Sequence, residues 1–233
     1  MAHVFVADLT DPQLDDADRH HLERVLRLRA GEPVTVSDGR GGWRRCTFVA
    51  GGSLQPEGEV EQRPSASPPI TIAFALTKGD KPELTVQKLT ELGVDRIVPF
   101  VAARSIVRWD DERANRQVER LRRVAREAAM QCRRAHLPEV GDVADFASVA
   151  RLPGAVLADA GGAPPSIEHP VVLVGPEGGW TDEERASGPA PVGLGDHVLR
   201  AETAAITAAA LWTALRSGRV QHAELLHSPE VST

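Results

Sequence analysis

Residues 171–184, "VVLVGPEGGWTDEE", decide the fold. Four aliphatic residues in a row read as a strand buried on both faces, the mark of a parallel sheet. The strand runs into a turn with three glycines and a proline in five residues, and Thr181 with Glu184 then spells a capping box that starts a helix. Strand, glycine turn and helix in succession make half of a βα unit. Glycines at such a place bring bare backbone close to whatever lies above the strand end. A plain strand-to-helix turn is the simpler reading of the same residues.

The same texture extends on both sides. "ITIAFAL" (70–76), "RIVPFVA" (96–102) and "GAVLADA" (154–160) are apolar strands, and "VGLG" (192–195) reads as another. "KPELTVQKLTELGV" (81–94) is a helix, with Pro82 in its first turn and Gly93 at its end. Residues 113–131 form an arginine-rich helix whose inward stripe is Val118, Leu121, Val124, Ala125 and Ala128. "AETAAITAAALWTALRSG" (201–218) closes the pattern as a long helix, and its alanines with Trp212 offer a face for a second copy of the chain. Alternating strands and helices predict an α/β domain with a mainly parallel sheet covered on both faces.

Residues 1–68 differ. "DDADRHHLERVLRLRAGE" (15–32) reads as one helix, with Leu22, Val25 and Leu26 inward and Gly31 as its stop. "PVTVSDGRGGWRRCTFVA" (33–50) reads as a hairpin in which Val34 and Val36 alternate with outward residues, and "EGEVEQ" (57–62) adds a strand. Together they predict a small β-barrel. "RPSASPP" (63–69), with three prolines and two serines, is the linker. The expected domains are therefore 1–68 and 69–233.

Composition sets the class. The chain of 233 residues is long enough for two such domains and has no apolar run of membrane-spanning length. Its first residues lack the basic and apolar regions of a signal peptide, and Cys46 and Cys132 read as two reduced thiols, so a cytoplasmic protein is expected. No zinc or magnesium ligand pattern is present. Net charge is −6, yet residues 104–134 hold ten arginines against five acids, which leaves the remainder at −11. A basic stripe on an acidic body is a footprint of nucleic-acid binding. A solvated helix face laced with arginine–glutamate pairs has the same composition.

The glycine turn excludes several ligands. A phosphate loop needs a lysine and a Ser or Thr at its end, and Trp180 and Thr181 stand there instead. Glu177, inside the turn, would repel a pyrophosphate. S-adenosylmethionine, with a cationic sulfonium and ammonium, fits. "GLGDHVLRAETAA" (193–205) carries Arg200, Glu202 and Thr203 into an alanine-rich helix, where a helix cap is the bland alternative. The only lysines, Lys78, Lys81 and Lys88, cluster in residues 77–94. Gln131, among Arg126, Arg133 and Arg134 at a helix end, could read a base edge or cap the helix.

These stretches resemble one family. "HHLERVLRLRAGE", "KLTELGVDRIVPF", "REAAMQCRRAHLPE", "LVGPEGGWTDEE" and "LGDHVLRAETAA" are similar to the bacterial 16S ribosomal RNA uridine methyltransferases of the knotted SPOUT superfamily, over about residues 20–216. The resemblance implies a barrel like the PUA RNA-binding module, an α/β domain tied in a deep trefoil knot, and a homodimer. It implies that S-adenosylmethionine lies against the loop after Leu76, the end of the strand at Leu173 with the turn Gly175, Pro176, Glu177, Gly178 and Gly179, and the segment Leu194, Gly195, Leu199, Thr203 and Ala204. It implies 16S rRNA as substrate, and the acidic body favours RNA already assembled in the small subunit. The chain departs from the family at His3, where an arginine is usual, and at Asp196-His197, where a basic residue is common.

Methylation of the uracil imide nitrogen needs alignment, loss of the imide proton and stabilisation of the charge on the flanking carbonyls. Arg200 is the expected stabiliser. Glu202 is the candidate base, or a residue that orients Arg200 or caps the helix. Arg24, Arg27, Lys78, Lys81, Arg126, Gln131 and Arg134 are the expected RNA contacts. A ribose 2′-hydroxyl methyltransferase of the same superfamily and a non-catalytic RNA-binding assembly protein are the alternatives.

Overall fold

A computed structural model describes residues 1–220 of the chain; residues 221–233, the end of the expected second domain, lie outside the described residues. The first part is built on β1 (Ala2–Phe5), helix α1 (Asp16–His20), β2 (Pro33–Ser37), β3 (Gly42–Val49) and β4 (Ser53–Gln62). Its sheet runs β1-β2-β3-β4, with β1 parallel to β2 and the other pairs antiparallel. Asp15 caps α1 by accepting from the Asp18 amide. The expected single helix to Gly31 instead ends in a π-helical turn at His21–Val25. That wider turn leaves Leu22 in the core and turns Val25 and Leu26 out to solvent.

Strand β2 is buried on both sides, so the expected alternation fails. Val34 and Val36 join Val4, Leu22 and Cys46 in the first core. Thr35 and Ser37 are also buried, because the second part of the chain covers their face. The Ser37 hydroxyl donates to the Ala135 carbonyl at 2.8 Å, and Thr35 meets Nδ1 of His3 at 2.8 Å.

The second part contains β5 (Thr71–Ala75), α2 (Lys81–Leu92), β6 (Arg96–Val101), α3 (Asp111–Cys132), β7 (Glu139–Val140), β8 (Ala144–Asp145), α4 (Phe146–Ala150), β9 (Ala155–Ala163), β10 (Val171–Val174), α5 (Asp182–Ser187), β11 (Pro191–Val192) and α6 (Ala201–Arg216). Its sheet runs β11-β9-β10-β5-β6-β7, with β8 also beside β6, and every ladder in it is parallel. The expected "VGLG" strand shrinks to Pro191–Val192, and the residues after it leave the sheet for the pocket described below. Alternate residues of β5 serve two cores. Ile72 and Phe74 pack with Val86, Leu121, Ala205 and Ala208 from α2, α3 and α6, while Ala73 and Ala75 pack with Val149 and Trp180 on the other face. No helix among the described residues is long and apolar enough to cross a membrane.

Trp212 does not serve a second copy of the chain. Its ring is fully buried in the core beneath α6, and its indole N–H donates to the His169 carbonyl at 2.7 Å. The alanine face around it, Ala205, Ala208 and Ala209, is likewise closed within the monomer.

The end of α3 joins the two parts. Arg126 donates to both carboxylate oxygens of buried Asp18 at 3.0 and 2.6 Å and to the Phe5 carbonyl at 3.2 Å. Gly41 and Leu137 exchange backbone bonds across the boundary with Ala135 and Gly39. The coil after β4 is fastened too: the Arg63 guanidinium lies 4.3 Å over the Trp43 ring, and its carbonyl meets Nε2 of His136 at 2.9 Å.

His3 sits in this boundary, 4% exposed. Its Nε2 is 3.1 Å from the Arg134 carbonyl. An imidazole that donates there accepts from Thr35 at Nδ1, which makes it neutral. Burial pushes its pKa from 6.5 down to about 4; the Arg134 carbonyl opposes this, and the charges of Arg63 and Arg133 add to it. A depressed basic group takes up protons in the unfolded chain first, so the folded state loses stability as pH falls from about 6.5 towards 4. Urea unfolding at pH 7.5 and pH 4.5 is expected to show a His3-dependent loss of roughly 2–3 kcal/mol. His3→Gln should remove that part of the pH dependence, and an unchanged dependence in the variant would show that His3 is not its source.

Candidate active site

Strand β10 ends at Val174 because Gly175 and Pro176 follow, and proline cannot donate to a ladder. Its neighbour β9, paired as Val174 with Ala158, continues to Ala163. The step between the two strand ends opens a pocket of about 260 Å³. Its walls are Ala158, Asp159 and Ala160 of β9, residues 174–177 with Gly179 and Trp180, and Leu194 through Leu199 with Ala201 and Ala204.

Trp180 builds the pocket floor. It is 2% exposed, stacked parallel to Phe100 at 6.2 Å and tilted against Phe146 at 5.6 Å. Its indole N–H donates to the Ala158 carbonyl at 2.9 Å, at the point where β10 leaves β9. A side chain at Gly175 would stand 2.9 Å from this ring, so glycine there is a packing requirement. Gly179 has φ +67°, a left-handed backbone that closes the turn. The capping box is formed as expected, with Glu184 accepting from the Thr181 amide at 2.9 Å and Thr181 from the Glu184 amide at 3.1 Å. The other oxygen of Glu184 accepts from the Ala103 amide at 2.8 Å, so one buried carboxylate ties the turn to the loop after β6.

Of the residues expected around a cofactor, Gly175, Pro176, Glu177, Gly179, Leu194, Gly195, Leu199 and Ala204 line the pocket. Four do not. Leu76 and Leu173 are buried core side chains, because a strand enclosed by helices directs them into packing. Gly178 faces outward, with Arg104 beside it, and the Arg104 guanidinium donates to its carbonyl at 3.1 Å. Thr203 is exposed on the outer side of the first turn of α6. The sequence reading missed Ala158–Ala160 and Trp180. The apolar run through "GAVLADA" gives no sign that its end is left uncovered.

The pocket wall carries three carboxylates, Asp159, Glu177 and Asp196, and neither lysine nor arginine. Arg185 neutralises Asp159 at 2.6 Å. Lys81 donates to Glu177 at 3.0 Å and lies 3.5 Å from Glu202, whose buried Oε2 lacks a hydrogen-bond partner. Burial works against ionisation of Glu177, but the Lys81 hydrogen bond, its own backbone amide and the charges of Lys81 and Lys78 outweigh it and hold the carboxyl below its usual range. Arg200 occupies the N-cap of α6 with an exposed side chain that makes no cap bond. Among the described residues, no three His, Cys, Asp or Glu side chains gather as a metal site would need.

The basic stripe divides. Arg116, Arg120 and Arg122 pair with Glu112, Glu83 and Glu119. Arg126 is committed to Asp18. Arg134 is mostly enclosed and donates to the Thr90 and Val94 carbonyls at 2.9 and 2.8 Å, closing the end of α2. Lys81 is held by Glu177. Arg126 and Arg134 would have to abandon enclosed partners to reach a phosphate, whereas the Lys81 pair is partly exposed. Arg24, Arg27, Lys78 and Gln131 are exposed. Gln131 lines a cavity of about 460 Å³ between the two parts, with Trp43, Arg63 and Arg133.

Known proteins share this architecture. A family model described as an RNA methyltransferase PUA domain matches residues 14–60, and an RNA methyltransferase domain matches residues 64–213. The chain is thus an RNA methyltransferase in two parts. It is 33% identical, over 84% of its length and 83% of the relative, to a ribosomal RNA small subunit methyltransferase E of Mycobacterium bovis. The counterpart from Bacillus subtilis is 30% identical over 89% of this chain and 94% of its own. The chain belongs to the ribosomal RNA small subunit methyltransferase E family. A Neisseria gonorrhoeae member bound to S-adenosyl methionine has a TM-score of 0.77 at 30% identity, covering 92% of this chain and 98% of that one. A Legionella pneumophila methyltransferase with bound cofactor SAM gives 0.80 at 28%, covering 92% and 97%. With these the chain shares the SPOUT α/β-knot fold behind a PUA module.

Arg126→Ala would strand the Asp18 carboxylate, itself 4% exposed. An expected loss of about 2–4 kcal/mol in chemical denaturation follows. The salt dependence of RNA binding should stay as in the parent. A stable variant with a flatter salt slope would return Arg126 to the RNA surface.

Proposed function

We propose that this chain methylates the N3 imide nitrogen of a uridine in 16S rRNA with S-adenosylmethionine. The observation that carries the reading is a pocket with bare backbone at Gly175, Gly179 and Gly195, apolar walls at Val174, Trp180 and Leu199, and carboxylates with neither lysine nor arginine in the wall. Such a lining suits a nucleoside with a cationic tail and opposes a phosphate-bearing cofactor. When bound, S-adenosylmethionine supplies an electrophilic methyl group whose bond to sulfur breaks as the bond to nitrogen forms.

The chain's own residues do the rest. Glu177 faces the ligand from the turn. Arg200, between pocket residues Leu199 and Ala201, stabilises the negative charge that spreads onto the uracil carbonyls, as a donor that does not titrate. Glu202, whose Oε2 faces the Lys81 ammonium at 3.5 Å without a hydrogen bond, is the acceptor for the imide proton. Residues 1–68 and the exposed Arg24, Arg27, Lys78 and Gln131 hold RNA, while 69–233 carries the transfer. The net charge of −6 disfavours indiscriminate RNA binding, so the substrate is rRNA within an assembled small subunit. Free thiols at Cys46 and Cys132 suit the cytoplasm.

Small subunits from a strain lacking the gene, incubated with the protein and S-adenosylmethionine, should yield one 3-methyluridine by nucleoside mass analysis. A ribose-methylated nucleoside would overturn the choice of target atom. Arg200→Ala should lower the single-turnover rate about a hundredfold with RNA affinity nearly intact. Lost affinity with an unchanged rate would make Arg200 an RNA-positioning residue instead.

The protein acts as a homodimer in this reading. Val198, beside the pocket, is 98% exposed, an apolar residue that a second copy would cover. Val198→Asp should shift the sedimentation mass towards the monomer; a parent protein that is already monomeric at micromolar concentration would refute the dimer.

A further inference from the structure

Glu177, Lys81 and Glu202 form one charge cluster drawn from three elements: the turn after β10, the first residue of α2 and the first turn of α6. Two carboxylates share one ammonium, so the cluster carries a net −1. Arg185 cancels Asp159 on the opposite wall. The other charged or titratable side chains nearby, Lys78, Asp196, His197 and Arg200, are exposed and belong to none of the ion pairs among the described residues, so solvent screens them. The cluster therefore sets the charge that the pocket presents at Glu177.

The two ligands that this pocket meets in each turnover differ chiefly in charge. S-adenosylmethionine carries a sulfonium, an ammonium and a carboxylate, net +1. S-adenosylhomocysteine, left after the methyl has gone, has a neutral thioether and is net zero. We propose that the Glu177–Lys81–Glu202 cluster lets the pocket favour the charged methyl donor over its neutral product, with Lys81 as the positioning residue that limits this preference. The proposal rests on the reading of the pocket as an S-adenosylmethionine site.

Against the effect of burial, the Lys81 ammonium favours the charged form of Glu177 and holds its carboxyl below the usual range. A pocket with both carboxylates unopposed would hold the sulfonium too well. Methyl transfer discharges that cation, so stabilising it in the ground state raises the barrier. Lys81 removes one of the two negative charges and fixes the position of the other.

Calorimetry on the full chain with three ligands tests this. The third is sinefungin, which has an ammonium where the donor has its sulfonium and no methyl to transfer. In the parent, S-adenosylmethionine and sinefungin should bind more tightly than S-adenosylhomocysteine. Glu177→Gln should shrink both preferences by about threefold to tenfold, the scale of one unit charge in a partly hydrated site. Lys81→Met should enlarge them by a similar factor, and Lys81→Arg should restore the parent ratio. Should Lys81→Met fail to fold in thermal melts, the Glu177→Gln ratios decide alone. Equal weakening of all three ligands by Glu177→Gln would overturn the proposal and leave the cofactor reading intact. A parent chain that binds none of the three would overturn that reading instead.

Discussion

The site depends on the early end of one strand. β10 has four residues and lies between β5 and β9, fully enclosed. Had it continued beside β9 to Ala163, a ladder would fill the space where the pocket now lies. Gly175-Pro176 stops it, and Trp180 folds back to take the Ala158 carbonyl. The glycine turn, the tryptophan and the capping box are then parts of a single device. Gly175 makes room for the ring, Gly179 closes the turn, and Thr181 with Glu184 starts α5 so that the chain can return to the sheet edge. Ligand sites in open parallel sheets lie beyond strand carboxyl ends for this reason.

Charge in this protein serves cohesion first. A window of ten arginines against five acids suggested a surface for polyanions, but the arginines nearest the first part of the chain are turned inward. Arg126 and Arg134 satisfy a buried carboxylate and the carbonyls at a helix end. Burying an ion pair stabilises little by itself, but breaking one is costly, so such pairs fix the relative placement of the parts they join. The exposed arginines, such as Arg24, Arg27 and Arg133, carry no such commitment, and the last of them lines the groove between the parts.

Local patterns in the sequence are legible where one interaction decides them. The strand 71–75, the helix ending at Gly93, the α3 stripe and the Thr181–Glu184 box all follow from short-range periodicity or capping. Gly175 and Glu177 are legible as pocket residues because glycines after a buried strand leave bare backbone at the strand end, where ligands sit, and a carboxylate there selects among them, whereas Gly195 is reached only through the family resemblance. The failures share one cause, a long-range contact. Trp212 has the look of a surface anchor because nothing in residues 201–218 shows that the sheet and His169 enclose it. Thr35 and Ser37 look outward because their cover comes from residues 134–135. Lys81 looks free because its partners, Glu177 and Glu202, are remote in the chain. Val25 and Leu26 have helical spacing, and only the π-helical turn removes them from the core.

Helix α2 connects these two groups of long-range contacts. Its first residue, Lys81, holds the carboxylates at the pocket, and carbonyls at its other end, Thr90 and Val94, are held by Arg134. The Arg134 carbonyl in turn meets His3 of the first strand. Twelve helical residues span about 18 Å, so one rigid rod joins the PUA part to the pocket. Protonation of His3 would disturb one end of that rod, and loss of the Lys81 charge the other. In the proposed reading a uridine held by the barrel would have to reach a methyl group near Glu177, and alignment errors of an ångström are costly in such a transfer. The partly exposed Lys81 pair at one end of α2 and the Arg134 hydrogen bonds at the other tie this helix to both parts.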